Sequence, residues 1–204
     1  MAVIASYGDS VIYKSDVQTL SGPEYISDNV ISIFMELLNA KCSDVFSLSP
    51  SVVQLMKMTQ ITQLKEMFEG LELHQYQIIF CPVNDSNSST SHVSGQHWSL
   101  LCYVHSQACF FHLDSSNSFN DVDAKGIASR ISSLLLLGEH NCQFKTLSCS
   151  QQNNGYDCGL YVIYFAKQII NDYIKLHKFD SKCILDPLPV QYRSHLLSEI
   201  EELS

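Results

Sequence analysis

Apolar positions along the chain repeat with a helical period toward both ends and cluster into strand-like runs between them. Val30, Ile33, Phe34, Leu37 and Leu38 share one helical face, and Ser27 or Asp28 stands where an N-cap belongs. Short helices are predicted over 51–58 and 60–68. Residues 77–83 form a compact apolar run read as a buried strand. Residues 97–104 and 109–114 are two more strands, aromatic and aliphatic, separated by His105-Ser106-Gln107-Ala108. Ile127, Ile131, Leu134 and Leu135 predict a helix over 124–137, followed by a short strand over 143–147. A strongly apolar helix is predicted over 158–173 and an amphipathic one over 190–203. Strands in the middle with helices on either side describe an α+β fold. The polar stretch 84–95, rich in Ser, Asn and Asp, reads as a long loop ending just before His97.

The chain has 204 residues, which predicts one domain spanning 1–204. A chain of this length buries roughly 70 % of its unfolded surface, enough for a core without staples. Apolar residues make up 46 % and charged residues 16 %, a globular balance. The net charge of −9 argues against nucleic acid as a partner, because phosphate binding needs a basic surface. Eight cysteines suggest a disulfide set, yet Cys81, Cys102 and Cys109 lie in apolar runs, where a thiol acts as a small hydrophobe. There is no C-x-x-C pair, and Cys142 and Cys149 have six residues between them, so neither a metal nor a cofactor is expected. The first residues show no basic-then-apolar leader, which with the cysteines placed in apolar runs predicts a reducing compartment, cytosol or nucleus. No apolar run approaches the roughly 18 residues that span a bilayer, so no membrane partner is expected.

Candidate chemistry emerges from the two central strands. Joined by four residues, they should pair as an antiparallel hairpin, which sets the start of the first beside the end of the second. His97 is at that start and Asp114 at that end. With strands about 4.8 Å apart, the imidazole and carboxylate can hydrogen-bond, giving an oriented base. Cys158 follows the turn-forming Asn153-Asn154-Gly155 and heads the apolar helix, where the helix dipole favours thiolate. Gln152, six residues upstream, can offer its amide to a developing oxyanion, with the Cys158 N–H as a second donor.

Each of these residues also has an ordinary reading. A Cys at a helix start can be a packed thiol, and His97 beside Trp98 a satisfied interior histidine. Asp114, followed by two serines, can cap a turn, and Gln152 can be a loop residue. Other chemistries lack their patterns: no Cys is followed six residues later by Arg, and neither a Gly-x-Ser-x-Gly elbow nor a Gly-rich phosphate loop occurs.

Taken together, His97-Trp98-Ser99-Leu100, Leu113-Asp114-Ser115 and Gln-Gln-Asn-Asn-Gly-Tyr-Asp-Cys-Gly at 151–159 resemble the ubiquitin-like-protein proteases, the sentrin/SUMO-specific family. The likeness runs over a core of about 10–197. It is nearest the small deneddylase branch, which lacks a long N-terminal extension and is similar at Val83–Asn87 and Asn154–Gly159. The resemblance implies a papain-like cysteine protease with a central mixed or antiparallel sheet flanked by helices. It implies His97, Asp114 and Cys158 as the triad and Gln152 in the oxyanion hole. The activity implied is removal of a ubiquitin-like modifier, most simply the neddylation modifier, from lysines of conjugates such as cullins, by a monomer. Processing of the modifier precursor after Gly-Gly is implied as well.

It further implies a narrow channel for a Gly-Gly tail, with Trp98 and Gln96 on the side of the base. Tyr25 stands where the family normally has Trp, and Asp28 falls where the family contacts the tail. A desumoylating or dual-specificity protease shares every catalytic residue. A relative of bacterial effectors with acetyltransferase or deubiquitinase activity, and a catalytically inactive binder of ubiquitin-like folds, are the other readings. The intact His, Asp, Gln and Cys set argues against the last.

Overall fold

The apolar run beginning at Ile78 becomes a strand covered by helices on both faces, which is why it shows no polar alternation. The computed structural model describes residues 2–86, 95–135, 142–180 and 186–203. Within them a hairpin of β1 (Val3–Tyr7) and β2 (Ser10–Tyr13) leads into α1 (Lys14–Leu20) and α2 (Asp28–Lys41). Then come β3 (Val45–Ser47), α3 (Pro50–Met58), α4 (Ile61–Met67), β4 (Ile78–Asn84), β5 (Trp98–Val104) and β6 (Cys109–Leu113). The chain closes with α5 (Asp121–Leu134), β7 (Gln143–Thr146), α6 (Cys158–Leu176) and α7 (Tyr192–Glu201).

The central sheet has the order β3-β4-β5-β6-β7, antiparallel at β4–β5 and β5–β6 and parallel at its two outer pairings. Side chains alternate across it. Ile78, Phe80, Leu100, Cys102, Phe111 and Leu113 pack with residues of α2, α6 and α7. Ile79, Cys81, Val83, Leu101, Tyr103 and Phe110 pack on the opposite face with α3, α4 and α5. Pro82 sits in β4 without breaking the ladder, because β3 pairs only as far as Phe80 and leaves that side of Pro82 open.

Helix starts follow local chemistry. The Ser27 hydroxyl accepts the Val30 N–H and so caps α2, leaving Asp28 as its first helical residue. Ser49 does the same for α3, with Pro50 in the first turn. The strands and helices expected from 27 onward form where the patterns put them, except that α5 begins earlier, at Asp121. Positions 136–141 lie outside the described residues, as do 87–94 of the polar loop. The β1–β2 hairpin, α1 and the three-residue β3 were not expected. Both faces of β1 are largely exposed, so it carries little alternation, and β3 is a strand only through its pairing with β4.

The seven cysteines among the described residues are free thiols, and no helix there is long and apolar enough to cross a membrane.

Candidate active site

The β5–β6 hairpin forms as expected, and it brings His97 and Asp114 together. Leu100 faces Leu113, so one further step sets Asp114 opposite Ser99 and makes His97 its diagonal neighbour on the same face. The Nε2 of His97 lies 2.6 Å from Asp114 Oδ1, both groups buried. With Nε2 so engaged, Nδ1 is the nitrogen left for Cys158, the neighbour that together with Asp114 favours the charged imidazole. Burial works against a charged imidazole, but the hydrogen bonds to Asp114 and Cys158 outweigh it and raise His97 to about 9. Burial likewise opposes ionised Asp114, yet the bond from His97 and the Asn120 and Ser116 N–H groups hold its carboxyl below the usual range.

Cys158 opens α6, with Asp157 as N-cap, and is fully buried. The first i−4 bond of the helix runs from the Tyr161 N–H to the Asp157 carbonyl, so the N–H groups of Cys158, Gly159 and Leu160 have no partner within the helix. Asn154 builds the approach. Its Oδ1 accepts the Tyr156 and Asp157 N–H groups at 3.0 Å each, and its Nδ2 donates to Asp157 at 2.8 Å. Gly159 is required at its place, since a Cβ there would stand 2.6 Å from Ile26 Cγ1. The segment leading from Tyr25 into α2 thus lies directly on the first turn of α6.

Gln152 lines the same cavity as His97, but its amide is engaged. Ser115 Oγ donates to its Oε1 at 2.7 Å, and its Nε2 donates to the Asn154 carbonyl at 2.7 Å. The cavity, about 410 Å³, is also lined by Tyr25, Gln96 and Phe119, and a second hollow of about 590 Å³ lies along Pro23, Glu24, Tyr25, Gly155 and Tyr156. Trp98 lines neither. It shares the sheet face of Leu100 and Cys102, so its ring turns into the core beneath α2 and α6. Asp28 lines neither as well, and burial raises its carboxyl above the usual range.

Three positioning residues escaped the sequence reading. Asn120 is fully buried, and its Nδ2 donates to the carbonyls of Val83 and His97 and to Ser99 Oγ. Asp85 accepts the N–H groups of Gln96 and His97 on one carboxylate oxygen, at 2.7 and 3.0 Å. Arg193, on α7, pairs with Asp157 at 2.6 Å and donates to the carbonyls of Thr19 and Glu24 at 2.8 and 2.7 Å. It therefore ties the segment before Tyr25 to the residue before Cys158. An Asn in a Ser-rich turn and an Arg 35 residues beyond the thiol carry no local signal. Only Asp85, inside the polar stretch 84–95, stood in a segment already singled out.

The arrangement offers a buried thiol, a base held by a carboxylate, and amide donors around an open cavity, which suits acyl transfer. Comparisons with known proteins point the same way. Residues 24–182 match the Ulp1 protease family, C-terminal catalytic domain. The chain is 34 % identical to the probable sentrin-specific protease 8 of Dictyostelium discoideum, over 97 % of this chain and 86 % of that one. It is 31 % identical to NEDD8-specific protease 1 of Arabidopsis thaliana, over 81 % of this chain and 74 % of that one. Its fold is similar to the C-terminal Ulp1 protease domain solved in complex with Smt3, the yeast orthologue of SUMO. The TM-score is 0.74 at 19 % identity, covering 100 % of this chain and 89 % of that one.

Proposed function

This chain belongs to the Ulp1 protease family, and from that premise we propose that it is a thiol isopeptidase that releases a NEDD8-type modifier from lysines of its conjugates. The observation that carries the reading is His97, bonded to the buried Asp114 carboxylate, lining an open cavity and favoured in its charged form by Asp114 and Cys158 together. The choice of modifier rests on relatives named as sentrin-specific protease 8 and NEDD8-specific protease 1. Cullins are the conjugates the family resemblance suggests, encountered in cytosol or nucleus.

In the proposed cycle the Cys158 sulfur attacks the carbonyl of the modifier's terminal glycine, while its proton resides on His97. The carbonyl oxygen takes up negative charge near the N–H groups at the start of α6 and the Gln152 amide. For Gln152 to serve, its Nε2 must share or exchange the Asn154 carbonyl for the oxyanion, with Ser115 still holding its Oε1. His97 then gives the proton to the leaving lysine nitrogen, the C–N bond breaks, and a thioester remains. Water, its proton taken by His97, attacks the thioester. The modifier carboxylate leaves and the Cys158 thiol is restored.

The test offers the purified protein NEDD8, SUMO and ubiquitin probes bearing a C-terminal electrophile, side by side. The expected result is a covalent adduct with the NEDD8 probe at Cys158, lost in Cys158→Ala while noncovalent binding of the modifier persists. Labelling by the SUMO probe alone would move the protein to a desumoylating role with the same chemistry. Absence of labelling by all three, or full hydrolytic activity of Cys158→Ala, would sink the reading.

A further inference from the structure

Two exposed aromatic rings line the catalytic cavity, Tyr25 at 50 % and Phe119 at 62 % exposure. Tyr25 comes from the segment before α2. Phe119 comes from the turn between β6 and α5, and its ring meets the His97 imidazole edge-on, with centroids 5.5 Å apart and planes at 77°. A phenylalanine left this open forgoes most of what burial would contribute. Its backbone setting is specific too. Asn117 and Ser118 are both left-handed, with φ of 50° and 63°, a conformation that disfavours residues other than glycine. The turn is pinned on either side, by the Ser116 and Asn120 N–H groups on Asp114 and the Asn117 N–H on Gln151. The site's own hydrogen bonds thus hold an apolar ring at the catalytic base, in water.

We propose that Phe119 is the wall along which the aliphatic stem of the substrate lysine lies, and that it favours lysine-linked over α-amine-linked leaving groups. The inference rests on the isopeptidase reading above. His97 must deliver its proton to the leaving nitrogen, so the leaving group passes beside the imidazole that Phe119 touches. Among the residues lining this cavity, His97 alone has a titratable nitrogen, and no carboxylate, lysine or arginine joins it. A hollow with no charged group besides the imidazole, and with a ring beside it, suits four methylenes that separate the scissile nitrogen from the polypeptide. An α-linked leaving residue instead presents a branched carbon and a polar backbone directly at that nitrogen, with less apolar length to lay on the ring.

The test compares wild type, Phe119→Ala and Phe119→Leu on three reagents built from NEDD8. These are NEDD8 joined to a peptide lysine through its side chain, NEDD8 with an α-linked C-terminal extension, and the NEDD8 electrophile probe, which has no leaving lysine. Phe119→Ala is expected to lower kcat/KM on the isopeptide about tenfold, the size of effect a lost apolar contact produces in a specificity pocket. The α-linked substrate should lose less than about threefold and the probe labelling rate less than about twofold, by the same measure. Phe119→Leu should recover most of the isopeptide rate. Equal falls on all three reagents would show the ring acting through His97 and overturn the proposal, as would an unchanged isopeptide rate. A wild type that no ubiquitin-like probe labels would overturn the isopeptidase reading together with it; a labelled wild type with equal falls removes only the role of Phe119.

Discussion

Asn120 touches Asp114 through its backbone, donating its N–H to Oδ2 at 2.9 Å, while its side chain donates at 3.3 Å to the carbonyl of the histidine that Asp114 orients. One buried residue thus fixes carboxylate and base from outside the pair. Its side-chain oxygen has no hydrogen-bond partner among the described residues, so the amide is placed for its donors.

Asn120→Ala removes the amide whose two hydrogens are shared among three buried acceptors but keeps the N–H on Asp114. Leaving buried acceptors unpaired should cost about 2–3 kcal/mol, a fall in melting temperature of roughly 5–10 °C. Electrophile labelling of Cys158 should slow by about tenfold, the rate equivalent of roughly 1.4 kcal/mol. Asn120→Asp should be worse than Ala, because it sets carboxylate oxygens against two carbonyls. Melting curves and labelling rates measured together check the order.

The pH dependence follows from His97, raised to about 9 from an ordinary value near 6.5. The charged imidazole stabilises the fold fully below the ordinary value, and that contribution is lost as pH rises through about 9. Turnover should fall on the same alkaline limb, since the acid that protonates the leaving amine is then gone. Asp114→Asn removes the charge and the acceptor that sustain the shift, so its limb should move toward the ordinary histidine range. A kcat profile from pH 6 to 10 reads both; a limb that stays put in Asp114→Asn counts against the assignment.

How much of this was legible in the sequence depends on how locally each residue is placed. His97 and Asp114 could be paired on paper because a four-residue connection allows one hairpin and the side-chain period does the rest. Cys158 was legible because turn residues and a long apolar run mark a helix start. Asn120 was not, because its acceptors are 37, 23 and 21 residues away, in β4, just before β5 and in β5, and meet it only once the sheet exists. The buried side of Trp98 followed from strand alternation, and its ring packs with the core residues of that sheet face. Tyr25 and Phe119, exposed on loops, follow no hydrophobic period at all.

Arg193 spans 174 residues to reach Thr19 and holds the Glu24 carbonyl next to Tyr25. Arg193→Met keeps the stem and removes the guanidinium, so Asp157 loses its ion-pair partner while keeping the Asn154 amide, and two carbonyls lose their donor. The segment before α2 should loosen, with hydrogen exchange at 19–26 accelerating. KM for the modifier conjugate should rise by about tenfold, as loss of roughly 1.4 kcal/mol of binding implies, with kcat changing less. A fall confined to kcat would place Arg193 with the nucleophile instead.

Gly159→Ala puts a methyl 2.6 Å from Ile26 Cγ1, too close without movement. Overpacking of this kind costs about 1–3 kcal/mol. Because the crowded partner is known, Ile26→Ala in the same chain should restore part of the melting temperature and of the labelling rate. A double-mutant cycle checks this, and strictly additive losses would count against the contact.

Cys158 rides on a helix, whereas His97 and Asp114 ride on a sheet, and hydrocarbon from α6 and β5 fills the space between. The reacting sulfur and nitrogen are therefore held apart as if by a calliper, whose jaws are two secondary-structure layers and whose setting is the thickness of their packing. Leu100 and Val162, both buried, are part of that setting. A methylene lost there retunes the gap across which a proton must pass, so chemistry in this enzyme is a gauge of its own interior, and warming should dull catalysis while the fold still stands.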